Sequence, residues 1–301
     1  MFKHKKLFFI ITKIKLLFVR ILCAFIINKG KRREFRNKLY LKYKKQYLKN
    51  YLYALDGNLE NVIVKNPKDL CNKIWICWLQ GEKNMPDIVK VCIGSIKKYK
   101  PENMDIIILD EDSIKDYIKF PDYIILKREK DYIKSAQFSD LLRISLLSSY
   151  GGIWIDSTVL LTQKIPEDIL NAEFFAFHSI EKGKHNNSWF LVSKSNNVLV
   201  NSVKNLMFEY WRVQNKMLDY FLYHLFFDVM VENNKKLEIE WNKVPLYWDY
   251  DCYDIGPLVF QKYDEEKFKE LQKQFIHKLT YKYNKSKDIK GTFLEKILTM
   301  Y

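Results

Sequence analysis

Three side chains able to do chemistry lie close together in two short segments, Ser139-Asp140-Leu141-Leu142-Arg143 and Tyr150-Gly151-Gly152-Ile153-Trp154-Ile155-Asp156-Ser157-Thr158. Asp140 and Arg143 have the spacing of neighbours on one helix face. Asp156 follows Gly152-Ile153-Trp154-Ile155, an apolar run too short for a helix and rich in strand formers. Ligands of open α/β sheets bind at the carboxyl ends of strands. Two carboxylates and a guanidinium in such a crevice suit a polyhydroxylated, phosphorylated ligand, because carboxylates take sugar hydroxyls or a metal and arginine takes phosphate. Each piece also has an ordinary reading: Asp-x-x-Arg as a surface ion pair, Gly-Gly as a helix cap. Their order and spacing together favour a site.

The elements that must position these residues follow from periodicity. An amphipathic helix is expected over 135–150, ended by glycine in the left-handed cap conformation, and a strand over 152–158. Upstream, strand 74–79, helix 86–99 and strand 104–109 alternate, which argues a parallel, doubly wound sheet. Short strands are expected at 174–177 and 189–192, helices at 196–214, 217–233 and 265–274, and loop over most of 241–260.

The 301 residues, 48% of them hydrophobic, suffice for a sizeable core. Cys23, Cys71, Cys77, Cys92 and Cys252 are scattered and form no CxxC pair, which argues against a disulfide framework or zinc site and fits a reducing compartment. The net charge of +15 resides in residues 1–50, which hold 16 Lys or Arg and one acid, Glu34; the remainder is neutral. Such an arm binds an anionic surface. The apolar run 7–27, interrupted by Lys13, Lys15 and Arg20 and followed by Lys29, Lys31, Arg32, Arg33, Arg36 and Lys38, favours an interfacial helix on an anionic membrane over nucleic acid. Residues 1–53 are therefore read as a basic membrane-associating arm and 54–301 as the globular domain, peripheral or monotopic on the cytoplasmic face of the plasma membrane. A single transmembrane anchor and a helix docked on the protein's own domain are the alternatives.

The central motif resembles the bacterial capsular polysaccharide synthesis glycosyltransferases, relatives of the DXD-motif sugar transferases that include clostridial glucosylating toxins and fungal initiating mannosyltransferases. The resemblance extends to Lys73-Ile74-Trp75-Ile76-Cys77-Trp78-Leu79-Gln80-Gly81 upstream and, more weakly, to 218–224 and 277–281 downstream. It implies a nucleotide-diphospho-sugar transferase fold of the GT-A kind with helical additions, a nucleotide-sugar donor, and a saccharide acceptor, with a polyprenyl-diphosphate-linked one as an option. It also implies transfer with retention of anomeric configuration, for which no protein nucleophile is assigned. By resemblance Asp156 is the first carboxylate of the DXD motif, touching donor and metal; Asp140 binds donor-sugar hydroxyls, and Arg143 the sugar or phosphate. Trp78 would lie against the base, with a core tryptophan as the competing reading; Trp75 reads as core.

A divalent metal, Mn or Mg, is implied as cofactor. Thr158 occupies the second DXD position, however, and a threonine hydroxyl is a weak ligand. Asp249, Asp251 and Asp254 are candidate substitutes, or solvated loop acids. Ser135, Gln137 and Ser139 offer further polar contacts, and His277 and Lys278 either reach phosphate or lie on the surface. Two other classes stay open: a non-catalytic sugar-binding or scaffold subunit, for which Thr158 speaks, and a nucleic-acid-binding protein, which the neutral domain opposes. A toxin-like transferase would share the site.

Overall fold

The structure, a computed structural model, describes residues 2–55, 63–64, 72–179, 185–284 and 286–301. Cys71 lies outside them, and the other four cysteines are free thiols. The chain opens with two helices, α1 (Phe2–Ala24) and α2 (Lys29–Leu48), the second capped by Asn28, whose side chain accepts from the Lys31 amide. Helix α1 buries one stripe, Lys5, Phe9, Thr12, Leu16, Val19 and Cys23, at alternating spacings of three and four. Its other side is apolar too, with Ile10, Ile14, Leu17, Phe18 and Ile21 exposed. One face is spent on the protein's own domain, and the outward apolar face is interspersed with exposed Lys6, Lys13, Lys15 and Arg20.

The core then follows the expected alternation: β1 (Lys73–Cys77), α3 (Asp87–Tyr99), β2 (Asp105–Leu109), α4 (Ser135–Tyr150) and β3 (Gly152–Ile155). After it come β4 (Val159–Leu161), β5 (Phe174–His178), β6 (Asn186–Ser193), α5 (Val198–Val213), α6 (Leu222–Asn233) and β7 (Ile276–Lys278). The central sheet has the order β2-β1-β3-β6-β5. Strand β1 is parallel to both β2 and β3, while β6 is antiparallel to both its neighbours. Four strands therefore run one way and β6 the other. The sheet is mixed and mostly parallel, because β5 and β6 are joined as a hairpin, which needs no helical crossover.

The chain leaves β1 first for β2 on one side and then for β3 on the other. Right-handed crossovers to opposite sides put α3 and α4 on opposite faces. The switch falls between β1 and β3, and the carboxyl ends of strands at such a switch are where open α/β sheets bind ligands.

Several elements differ from expectation. The run 152–158 is not one strand: it ends at Ile155, turns through Asp156–Thr158 with the Val159 amide bonded to the Asp156 carbonyl at 2.9 Å, and resumes as β4. The turn lets Asp156 leave the sheet. Helix 217–233 begins only at Leu222, and helix 265–274 ends at Leu271. Strand β7, which periodicity did not mark, pairs antiparallel with β4. Helix α4 is buried on nearly every face rather than amphipathic, since the sheet lies on one side and α5 packs on another.

Gly151 and Gly152 close α4 at φ 71° and 94° and bring β3 hard against β1. A Cβ on Gly152 would stand 2.4 Å from the Lys73 carbonyl oxygen, and one on Gly151 2.7 Å from the Ser195 amide. The Trp75 indole donates to the Gly151 carbonyl at 2.9 Å, locking the same junction. Gly152→Ala combines a positive φ with a backbone clash and should cost about 3 kcal/mol or more of unfolding free energy. Gly256→Ala, where an added Cβ meets nothing within 4 Å, is the control and should be near neutral. Denaturant midpoints of the two variants check this; equal shifts would contradict it.

Candidate active site

Asp156 stands at the carboxyl end of β3, at the switch between β1 and β3. Its amide donates to the Trp189 carbonyl at 2.8 Å, which anchors the turn to β6. Its side chain keeps 25% exposure, the most open of the three motif residues. One carboxylate oxygen, Oδ1, accepts from Trp154 Nε1 at 2.9 Å and lies 3.4 Å from Arg143 Nη2. The other, Oδ2, lies 3.5 Å from Lys278 Nζ.

Arg143 is buried against the Trp154 ring, 5.0 Å from its centroid. It donates to the Ser188 carbonyl on β6 and lies 3.4 Å from Asp140 Oδ1, while weaker contacts reach Ser139. Burial works against its charge, but the carboxylates of Asp156 and Asp140 outweigh burial, and its pKa is raised. Burial pushes the Asp140 carboxyl up to about 6, with Arg143 opposing the shift and Asp156 adding to it. The motif thus brings both carboxylates onto one guanidinium, and Arg143 spends its donors on the protein.

Trp78 follows β1 directly, its amide bonded to the Leu109 carbonyl at 2.8 Å. Its ring is mostly buried and meets Tyr281 edge-on at 5.1 Å, and among the described residues its indole N–H has no partner. Trp75 is wholly buried, as its alternation with Ile74 and Ile76 implied. Ser135 is exposed; Gln137 is buried with its Nε2 unpartnered among the described residues. His277 is fully buried: its Nε2 meets the Leu271 carbonyl at 2.9 Å, and burial takes its pKa down to about 4. It is a neutral packing residue, not a surface or phosphate-reaching one.

Lys278, its neighbour, reaches the site. Its ammonium donates to Thr158 Oγ1, on the far side of the turn from Asp156. The pairing of β4 with β7 sets this position, with Val159 opposite Lys278 and the Leu279 amide bonded to the Thr158 carbonyl at 2.9 Å. The pairing of residues 120 positions apart leaves no local signal; the alternation in Phe275-Ile276-His277-Lys278-Leu279 is the only trace of the strand.

The late acidic loop comes near Asp156 through Tyr253. Asp249 is buried and accepts from Asn187 Nδ2, while its amide bonds to the His178 carbonyl at 3.1 Å. Asp254 is exposed and acts through its charge on His277 and Cys252. Tyr253, which sequence reasoning did not single out, accepts from Trp189 Nε1 at 2.9 Å and feels the Asp156 charge. With Trp248 and Tyr250 it leaves three exposed aromatic rings on this loop. Among the described residues, the cluster of His, Cys, Asp and Glu with metal-ligand spacing is His185, Asp228 and Glu232. It does not include Asp156, and Lys45 already pairs with Asp228 at 2.8 Å and Glu232 at 2.6 Å.

PaToxG Glycosyltransferase is among the solved structures similar to this chain, at TM-score 0.39 and 15% identity over 69% of this chain and 83% of that one. A search of curated proteins gives no significant match. The family model described as capsular polysaccharide synthesis protein matches residues 25–297, nearly the whole chain and all of the site just described. The chain belongs to the capsular polysaccharide synthesis protein family.

Proposed function

We propose that this protein is a glycosyltransferase that moves a hexosyl group from a nucleotide-sugar donor to a saccharide acceptor in capsule synthesis. The observation that carries the reading is the half-open Asp156 carboxylate at the β1/β3 switch point, held with Asp140 on one buried guanidinium, in a chain of this family. The carboxylates accept hydrogen bonds from donor hydroxyls, and Arg143 fixes their orientation. Trp78 borders the base, and the exposed rings of Trp248, Tyr250 and Tyr253 offer apolar faces to the acceptor sugar. In a retaining, front-face transfer the acceptor oxygen bonds to the anomeric carbon. The bond from that carbon to the phosphate oxygen breaks with its electron pair leaving on the diphosphate, which takes the acceptor proton.

The test is the purified full-length protein against a panel of nucleotide sugars and saccharide acceptors, with and without Mn2+, reading released nucleoside diphosphate. At least one donor should turn over, and Asp156→Asn should lower that rate about a hundredfold or more in protein that remains folded. Wild-type rates in a folded Asp156→Asn protein would remove the site.

Asp140 adds a pH dependence. Its carboxyl is protonated below about 6 and ionised above it. The acid form still donates one hydrogen bond but has lost an acceptor for sugar hydroxyls. Donor affinity should therefore rise as pH increases through 6, and Asp140→Asn should be weak and flat over the same range. Michaelis constants for the donor on either side of that pH decide it; an unchanged profile in Asp140→Asn would assign the limb elsewhere.

The same reading extends to place. We propose that the outward face of α1 docks on the anionic cytoplasmic leaflet of the plasma membrane, near a lipid-linked acceptor. No described helix is long and apolar enough to cross a membrane. Leu7, Ile10, Ile14, Leu17, Phe18 and Ile21 nevertheless form an exposed apolar stripe, flanked by exposed Lys6, Lys15 and Arg20. Apolar surface of this extent, bordered by cations, matches interfacial insertion, with anionic lipid contributing about 1 kcal/mol per basic residue. A groove of about 620 Å³ between this stripe and Gln214–Lys216 would admit an acyl or prenyl chain. Ile14→Glu with Phe18→Glu touches exposed positions, so it should abolish cosedimentation with phosphatidylserine vesicles while leaving the melting temperature unchanged. Equal sedimentation of the variant and the parent protein would refute membrane docking by this face.

A further inference from the structure

We propose that the Lys278 ammonium, rather than a divalent metal, holds the donor diphosphate, an inference that rests on the glycosyltransferase reading above. The motif position that would carry a second carboxylate is Thr158. Its hydroxyl accepts a hydrogen bond from Lys278, whose Nζ also lies 3.5 Å from Asp156 Oδ2. A positive charge already stands between the two side chains that a two-carboxylate motif would offer to a metal.

The donor set does not fit a hard cation. Magnesium and manganese want near-octahedral oxygen coordination. The motif itself supplies one carboxylate and one hydroxyl, and among the described residues Asp156 belongs to no group of three His, Cys, Asp or Glu ligands. Asp156 Oδ1 is occupied by Trp154 Nε1 and faces Arg143 Nη2 at 3.4 Å; Oδ2 faces the ammonium. An ion entering beside Asp156 would meet two cations and displace a hydrogen-bonded lysine. Asp249 cannot swing in as a ligand without giving up Asn187.

Lys278 is also unlike a wandering surface lysine. Antiparallel pairing opposite Val159 fixes its backbone, and its side chain retains 21% exposure. An ammonium has three donors. Two face Thr158 and Asp156, and the third is available to a phosphate oxygen, whose charge grows as the bond to the sugar breaks. Arg143, by contrast, is enclosed and committed to Asp140, Asp156 and the Ser188 carbonyl. Among the described residues, Lys278 is thus the cation beside Asp156 able to touch a ligand while remaining anchored. The competing role is structural: a lysine that only neutralises Asp156.

Calorimetric titration of the full-length protein with inorganic pyrophosphate in EDTA separates the two. Pyrophosphate should bind without metal. Lys278→Met should weaken it about tenfold or more, the loss of one charge-assisted hydrogen bond, and Lys278→Arg should retain most of the affinity. Thr158→Val removes only the hydroxyl anchor and should give an intermediate loss, which keeps the test informative if Lys278→Met fails to fold. Titration with Mn2+ alone should give no heat of binding. Pyrophosphate binding that appears only with Mn2+, or equal binding by folded Lys278→Met and the parent protein, would overturn the proposal.

Donor turnover is read separately. Turnover that requires Mn2+ would overturn the lysine assignment and leave the glycosyltransferase reading standing. Lysine-dependent pyrophosphate binding with no turnover of any nucleotide sugar would do the reverse.

Discussion

The buried guanidinium of Arg143 is the interaction on which the site depends. An arginine this enclosed is tolerable only if its charge is matched and its donors are used. The chain meets both demands with Asp140 one turn earlier on α4, Asp156 at the end of β3 and the Ser188 carbonyl on β6. One side chain therefore ties the motif helix to two neighbouring strands. Removing a partner of such a pair leaves a charge stranded in the interior, typically at about 3–5 kcal/mol, so the geometry of the carboxylates and the stability of the core are not separable. The same crowding explains the raised Asp140 pKa: a desolvated carboxyl shares its cation with a second carboxylate.

Around this centre the site is assembled from distant parts of the chain. Strand β1 delivers Trp78, the turn after β3 delivers Asp156 and Thr158, and the late loop delivers Tyr253. The C-terminal strand β7 brings Lys278 to the turn and is followed by Tyr281 against Trp78. The late loop is held down by Asn187 on Asp249, Trp189 on Tyr253 and the backbone of His178. These contacts make Asp249 a fastener rather than a free ligand, and they leave aromatic faces outward.

The basic arm is less separable than its charge suggests. Lys5 is buried against Glu209 at 3.1 Å, and Glu209 also accepts from Arg212 at 2.6 Å and from Tyr53. Burial lowers the Lys5 pKa against the pull of Glu209. Lys44 and Lys45 pair with Asp219, Asp228 and Glu232 on the segment that contains α6. Part of the arm's positive charge is therefore consumed inside the protein, and what remains outward lies beside the exposed stripe of α1.

What depends on near neighbours is legible in the residues alone. The glycine stop marked where α4 ends, since a glycine that takes a positive φ is local chemistry. The alternation of short apolar runs with helices gave β1, α3, β2 and β3, hence the parallel part of the sheet and the strand end where Asp156 stands. The Asp140–Arg143 spacing put both on one helix face. What depends on pairing across the chain emerges only in the folded molecule. Strand β6 runs against its neighbours, a direction no period of two can encode. Both sides of α1 are apolar in the sequence, and only packing on α2 and α5 determines which is buried. His277 and Lys278 are adjacent residues of one type of signal, yet strand pairing sends the first into the core and the second to Asp156 and Thr158, because successive side chains on a strand point to opposite faces.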